Sequence, residues 1–392
     1  MTCVPPGGWP QPQSLYVHVP FCRHRCGYCN FSVIAGRDEL QDQYLDAIER
    51  ELTGISPSDT HRNELPLQTI FLGGGTPTRL SAARLQRLHR AIADAFPIAD
   101  DAEITAEANP EDITPECLDA LQAIGVNRIS LGIQSFDADK LQCLERGHDQ
   151  DTAFAAIEAA HQQVGNVSID LIFGAPDESL ATWQNDLSLA ASSSISHVST
   201  YALTFEKGTS FWSRRSRGDL SEADETLELQ MYEAAQQQFS TDGWQQYEIS
   251  SFARESFRCR HNLAYWAGRG WHAVGPGAAR FVDGRREVNH RSTTTYLKRM
   301  LASGSATDET ETITLEQYAR ELAAFGVRQL DGIDLSTIHD RTSIDLETSL
   351  AETLTKLQSM ALVTHDNHHL QLTRRGILFA DTVATALLSE PE

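Results

Sequence analysis

Between residues 15 and 250, short apolar runs rich in β-branched side chains alternate with stretches whose apolar positions recur at helical spacing. LYVHVPF (15–21), LQTIFLGGG (67–75), EITAEAN (103–109), RISLGIQS (128–135), NVSIDLIFG (166–174) and HVSTYALT (197–204) predict six strands. Helices are predicted near 38–53, 81–96, 114–124, 150–163, 179–191 and 222–241. Thr114-Pro115-Glu116 marks one start, a capping oxygen before a first-turn proline. Six β/α units in a row imply an α/β fold with a parallel sheet, and the nearly continuous apolar runs fit strands covered on both faces. Right-handed crossovers wind such units into a barrel or a twisted open sheet.

Polar residues fall where each strand stops: His18, Gly73 to Thr76, Glu107, Asn109, Gln134 and Asp170. Barrel and open α/β enzymes place their chemistry at the C-terminal ends of strands. Any one of these residues alone reads as a helix cap or turn filler; the succession points to a site.

Beyond residue 290 the rhythm turns helical: TTTYLKRMLASG, TLEQYARELAAFGVRQL and IDLETSLAETLTKLQSM precede a short hairpin, ALVTHD and HLQLT, and then RRGILFADTVATALL. Helices followed by a two-stranded wing predict a small winged-helix-like domain. The acidic start of its second helix speaks against DNA recognition and for packing or partner docking. The division expected is a tail over 1–14, a core barrel over 15–255, a connecting segment over 256–300 and a C-terminal domain over 301–392.

Length and charge narrow the functions. A chain of 392 residues exceeds what one core usually supports and suits two domains. The formal net charge of −22, without runs of Lys or Arg, argues against a general nucleic-acid binder, while a small basic area touching a membrane stays open. There is no apolar run of membrane-spanning length and no secretory or organellar pattern in MTCVPPGGWPQPQ, so a cytoplasmic location is expected.

Three of the seven cysteines crowd into Cys22-Arg-His-Arg-Cys26-Gly-Tyr-Cys29, a CxxxCxxC loop directly after the first strand. That is the pattern of a metal site in a reducing compartment rather than a disulfide frame. Three thiolates hold three corners of a cubane cluster and leave the fourth iron open for a ligand. The neighbouring arginines and His24 are expected to favour deprotonated sulfur. A structural zinc site would take a fourth ligand, for which His18 or His24 could serve. Cys117 and Cys143 read as small half-buried thiols on helices; Cys3 and Cys259 also stand alone.

With this loop in view, the chain resembles radical S-adenosylmethionine proteins of the oxygen-independent coproporphyrinogen oxidase group, from about Tyr16 to the C-terminal domain. The resemblance implies a partial (β/α)₆ radical-SAM barrel with a small C-terminal helical, winged-helix-like domain, a [4Fe–4S] cluster on Cys22, Cys26 and Cys29, and S-adenosylmethionine on the open iron. In that superfamily the reduced cluster cleaves the sulfonium to a 5′-deoxyadenosyl radical. Gly74, Gly75 and Thr76, in the Gly73-Gly74-Gly75-Thr76-Pro77 turn, resemble the segment that meets the methionine head group; missing Cβ atoms let a ligand reach the backbone. By the same resemblance Tyr16, Tyr28, Glu107, Gln134, Arg146, Asp170 and Ala202 line the ligand pocket, with Ser135 beside Gln134. Arg146 suits a bidentate carboxylate contact. Its pairing with Glu107 or Asp170 is the alternative in which it is purely structural.

Two features separate readings of function. The oxidase carries a fourth cysteine two residues after the third, and an N-terminal extension; here Asn30-Phe31 follows Cys29, and 21 residues precede Cys22. Both features are similar to HemW-type haem chaperones, which are thought to bind haem and deliver it to acceptor haemoproteins. Cys259-Arg260-His261-Asn262-Leu263-Ala264-Tyr265-Trp266 matches their HNxxYW motif, implying haem contacts at His261, Asn262, Tyr265 and Trp266. Imidazole is a good axial ligand, the aromatics can stack on a porphyrin, and Arg258 or Arg260 can meet its propionates. From residue types alone the segment reads as an aromatic core corner with a hydrogen-bonded histidine, and Cys259 is a competing thiolate. Where such chaperones often have a histidine after Gly275-Pro276-Gly277-Ala278, this chain has Ala279, so any role of that imidazole is lost or moved, for example to His272. The expected function is a haem chaperone with haem as cargo; the alternative is coproporphyrinogen III oxidation by radical decarboxylation. The sequence names no catalytic residue, acceptor protein or oligomeric state.

Overall fold

The computed structural model describes residues 4–55, 65–241 and 243–389; Cys3 lies outside them. Six parallel strands, β1 (Ser14–Val19), β2 (Leu67–Gly74), β3 (Ile98–Ala108), β4 (Arg128–Gln134), β5 (Val167–Phe173) and β6 (His197–Ala202), lie side by side in chain order. Helices α1 (Gln41–Gly54), α2 (Ala82–Ala95), α3 (Pro115–Ala123), α4 (Gln150–Val164), α5 (Leu180–Ala191) and α6 (Glu225–Gln238) supply the crossovers and the cover. The sheet continues at one edge into an antiparallel pair, β7 (Trp244–Gln246) and β8 (Ser251–Arg254), and at the other into a parallel strand, β9 (His272–Val274). This is the expected partial barrel: six β/α units in an arc whose two ends are not paired with each other.

The predicted strands sit within a residue or two of their places, except β3, which begins five residues before the expected Glu103. Its first stretch, Ile98–Asp101, is polar and irregular: Leu67 pairs with Ile98, the register then shifts, and Thr69 pairs with Glu103. Alternation cannot register a strand that bulges. Caps behave as read, with Thr114 Oγ1 accepting from the Cys117 N–H at 3.2 Å.

Apolar side chains from both sheet faces and the helices make one core, from Leu15 and Val17 through Ile129, Leu131 and Ile169 to Trp183. A second core gathers around Leu322, Leu335, Leu354 and Leu370 in the C-terminal part. There the hairpin Val363–Asp366 and His369–Leu372 joins a short strand, Ile333–Asp334, in a winged-helix-like arrangement. Two of the predicted helices are broken. IDLETSLAETLTKLQSM splits into Leu346–Ser349 and Ala351–Ser359, and RRGILFADTVATALL splits at Phe379 into Arg374–Leu378 and Ala380–Leu388. A helix over Leu335–Thr342 was not anticipated, its apolar positions being sparse. Between the two cores, a three-stranded sheet (Ala279–Val282, Arg285–Asn289, Thr307–Thr312) and the helix Thr293–Ser303 pack against the barrel, where the Tyr296 hydroxyl donates to the buried Glu51 at 2.6 Å. No helix among the described residues is long and apolar enough to cross a membrane.

Candidate functional site

The cysteine loop leaves β1 and is held open by three neighbouring elements. Phe21–Cys22 pairs with Ile34–Ala35, closing the base. The Cys29 N–H donates to the Cys26 carbonyl at 3.0 Å, making a tight turn. Glu145 fastens that turn by accepting from the Gly27 N–H at 2.8 Å, with Phe211 N donating to the Gly27 carbonyl at 2.9 Å from the other side. A Cβ at Gly27 would come within 2.5 Å of the Phe211 ring, so only glycine fits between the two cysteines. Glu145, with φ +56, was not singled out in the sequence; its signal was its place beside Arg146 in a strained turn.

All three thiols are free and half-buried, and Cys29 lines the cavity beside the loop. Thr76 Oγ1 approaches Cys22 Sγ at 3.7 Å and Arg146 Nη1 approaches Cys26 Sγ at 3.8 Å. Of the neighbouring cations expected to favour thiolate, Arg25 stays beside Cys29, donating to its carbonyl at 3.3 Å and drawing its thiol down against the effect of burial, whereas Arg23 and His24 turn outward to Asp112 (3.3 Å) and Glu145 (3.4 Å). Burial instead pushes the Cys22 thiol up to about 11, opposed by the Thr76 hydrogen bond, and raises Cys29. A bound metal reverses this, since a coordinating thiol is deprotonated outright. Among the described residues no three His, Cys, Asp or Glu side chains converge as ligands of one ion do; the ligands of a cubane attach at separate corners and need no such convergence.

The strand-end residues gather beside the thiols. β2 reaches β1 with Gly73 opposite His18 and Gly74 opposite Val19. A Cβ at Gly75 would lie 2.8 Å from the Val19 and Phe21 carbonyls, and one at Gly74, where φ is +104, 2.4 Å from the His18 ring. The Gly74 N–H donates to Glu107 at 2.9 Å. Tyr16 donates or accepts at His18 Nδ1 (3.0 Å), and His18 Nε2 meets the Ser32 carbonyl (3.0 Å), tying β1 to the cysteine loop. Gln134 ends β4 with φ +65, a conformation held only where surroundings impose it.

Two half-buried carboxylates lie close enough in this region for the charge of one to act on the other. Burial, with the Asp170 charge nearby, raises Glu107 to about 7. Burial raises Asp170 to about 6, against the pull of Arg128. Arg146 pairs with neither, contrary to the structural alternative read from the sequence. It donates to Asn109 Oδ1 at 2.6 Å and to the Gly132 carbonyl at 2.7 Å, and its buried Nε has no hydrogen-bond partner among the described residues. A glycine cradle, an orphaned guanidinium donor and two carboxylates fit an amino-acid head group with a neighbouring cation.

Above the mouth lies a cavity of about 1260 Å³ between the barrel and the C-terminal domain. Tyr28, Cys29, Glu107, Gln134, Asp170 and Ala202 line its floor, together with Phe31, which is 60% exposed. Far from the sequence motifs, Arg291, Arg328 and Phe379 line it too.

The HNLAYW motif is elsewhere. It forms the helix α7 (Arg260–Trp266), which enters at the N-terminal ends of the strands. His261 is buried, with Nδ1 at 2.8 Å from Thr69 Oγ1 and Nε2 at 2.9 Å from the Tyr265 hydroxyl. Burial lowers it to about 3. None of His261, Asn262, Tyr265 and Trp266 lines the cavity; Trp266 neighbours it through Arg328, whose guanidinium sits 5.1 Å from its ring. Arg258 and Arg260 are engaged by Asp331 (2.8 Å) and the Asp101 carbonyl (2.6 Å). Cys259 is buried against Glu103, and the His272 ring packs tilted against Phe96 with centroids 4.7 Å apart, away from the mouth.

Comparison with known proteins places this architecture. Residues 16–190 match the Radical SAM superfamily and residues 313–379 the HemN C-terminal domain. Over 381 residues the chain is 32% identical to the Heme chaperone HemW of Bacillus subtilis (strain 168), covering 96% of this chain and 100% of that protein. The chain belongs to the HemW family of radical SAM proteins. Another HemW-family relative, the Heme chaperone HemW of Mycobacterium tuberculosis (strain ATCC 25618 / H37Rv), is 34% identical over 383 residues, 96% of this chain and 95% of its own. Among solved structures, coproporphyrinogen III oxidase (HemN) from Escherichia coli, a radical SAM enzyme, superposes with a TM-score of 0.85 at 25% identity, covering 97% of this chain and 91% of the oxidase.

Proposed function

We propose that this HemW-family chain is a haem chaperone, taking haem as cargo and passing it to acceptor haemoproteins, with a [4Fe–4S] cluster on Cys22, Cys26 and Cys29 and S-adenosylmethionine beside it. The full-length similarity to relatives named heme chaperones carries this reading. In it, the cluster, when bound, supplies an open iron and an electron. The Gly73–Gly75 turn then offers backbone groups to the methionine head, the orphaned Arg146 Nε donates to its carboxylate, and Glu107, Asp170 and Gln134 meet the ammonium, sulfonium and ribose. Tyr16 and Tyr28 wall the pocket and Ala202 leaves room at its edge. The reading sets the protein in the cytoplasm, where thiols stay reduced, and its net charge of −22 suits a protein rather than a nucleic-acid partner.

The structural likeness to the oxidase favours one second reading, radical decarboxylation of coproporphyrinogen III. Phe31 weighs against it, because an exposed aromatic stands where the oxidase, by the sequence resemblance, carries a further cysteine. A transfer assay tests the chaperone: haem-loaded protein mixed with an apo-haemoprotein should give up its haem faster than free hemin is taken up. Haem that stays on the chain in the presence of every acceptor tried would refute delivery.

A further inference from the structure

We infer that haem is held in the cavity above the barrel mouth, between Phe31 and the helix break at Phe379, with its carboxylates on Arg291 and Arg328; this rests on the cargo reading above.

Exposed apolar surface points there first. Among the described residues 11 large hydrophobic side chains are exposed, and five of them, Phe31, Tyr201, Leu229, Leu378 and Phe379, line this one cavity. Single exposed apolar residues are ordinary, but a set from four separate parts of the chain lining one cavity marks a binding surface. Phe379 is 45% exposed because the terminal helix is interrupted at it, with φ −117, where an unbroken helix would continue its periodicity. The break presents Leu378 and Phe379 together toward the barrel.

Size and charge narrow the ligand. Pockets for single small ligands run to about 300–1,000 Å³, so 1260 Å³ leaves room for a second, larger body beside the carboxylate pocket. The lining carries two guanidinium groups in a chain of net charge −22. Arg291 donates to the Asn30 carbonyl at 2.5 Å and Arg328 to Asp381 at 2.9 Å. Asp381 is a solvent-exposed partner, and such pairs are worth at most about 1 kcal/mol, so a ligand carboxylate displaces it at little cost. The Arg328 Nε is buried without a hydrogen-bond partner among the described residues. Glu206, Glu225, Glu228 and Asp381 line the cavity too, beside Glu107 and Asp170, and repel an anion, so the carboxylates of a ligand are confined to Arg291 and Arg328, the cationic side chains among the described lining residues. A flat apolar macrocycle with two carboxylates matches this wall. No histidine or methionine is among the described residues lining it, so retention depends on the faces and the carboxylates rather than on an imidazole from the wall.

Hemin titration of the reconstituted full-length protein, followed by absorbance, tests the assignment. Phe379→Glu and Leu229→Glu, both at exposed positions, should keep the circular dichroism and iron content of the wild type and weaken hemin binding at least ten-fold. Arg291→Ala should weaken hemin several-fold yet leave binding of its dimethyl ester unchanged, whereas His261→Ala should keep wild-type affinity. Wild-type binding that the cavity variants alter less than two-fold, with loss in His261→Ala, would overturn the site and leave the cargo reading standing. Absence of saturable binding to the wild type would overturn both.

Discussion

The backbone N–H of His261 donates to Glu103 Oε1 at 3.1 Å, joining residues 158 apart in the sequence. The same carboxylate accepts from the Arg260 N–H at 3.1 Å and meets the Cys259 thiol at 3.7 Å. One strand-borne acid thus satisfies the first donors of α7, which would otherwise be buried without partners. Glu103 ties the HNLAYW helix to the barrel through its backbone.

Glu103→Ala should therefore cost about 3 kcal/mol of stability, since it strands two backbone donors and leaves buried Arg128 short of a counter-charge. Urea denaturation measures this, and Glu103→Gln should recover part of it. Unchanged stability in both variants would show that α7 does not depend on this acid.

Substituting any of Cys22, Cys26 or Cys29 by alanine should remove the iron and sulfide while the far-ultraviolet circular dichroism stays as in the wild type. The loop is fastened by Gly27, Glu145 and Phe211 rather than by the sulfurs. Full iron content in the Cys26→Ala protein would dismiss the site.

The carboxylate pair gives a pH signature in the metal-free protein. Glu107 rises from 4.5 to about 7 and Asp170 from 3.8 to about 6. The folded state thus binds more protons than the unfolded chain in this range. Their contribution to stability is fully present below the unfolded values and is lost as pH rises to about 7, on the order of 3 kcal/mol for each group before solvent screening. Denaturation at pH 5 and pH 7.5 should show this fall, and Glu107→Gln should flatten it. S-adenosylmethionine, carrying a sulfonium, should bind more tightly as Glu107 ionises between pH 6 and 8.

Lys140 is buried between Glu178 (2.5 Å) and Asp186 (3.0 Å), with Asp186 also accepting from the Ser135 hydroxyl at 2.7 Å. Lys140→Met leaves two buried carboxylates without a cation and should cost about 3–5 kcal/mol. The triple replacement with Glu178→Gln and Asp186→Asn should restore much of it. Thermal melts of both proteins give the comparison.

Much of the barrel was legible because its strands are short, β-branched and bounded by turns, and because Glu107, Gln134 and Ala202 fall at strand ends that a parallel sheet brings to one mouth; Asp170, read as a strand-end residue, lies in the middle of β5. The CxxxCxxC spacing placed the thiols without any tertiary information. The role of Glu103 stayed hidden because it sits inside β3 just after the polar stretch Ile98–Asp101, where a register shift defeats alternation. His261 carried a motif but no address: only the chain's path after β8 sends α7 to the floor rather than the mouth. Phe379 sits between two helical patterns that read as one, and a break of a single residue leaves no trace in periodicity.

The most direct measurement is anaerobic reconstitution followed by hemin titration with coproporphyrinogen III supplied in parallel, reading absorbance and 5′-deoxyadenosine together. Saturable hemin binding without decarboxylation is expected. Turnover of coproporphyrinogen III without tight hemin binding would contradict the chaperone and make the protein an oxidase despite Phe31.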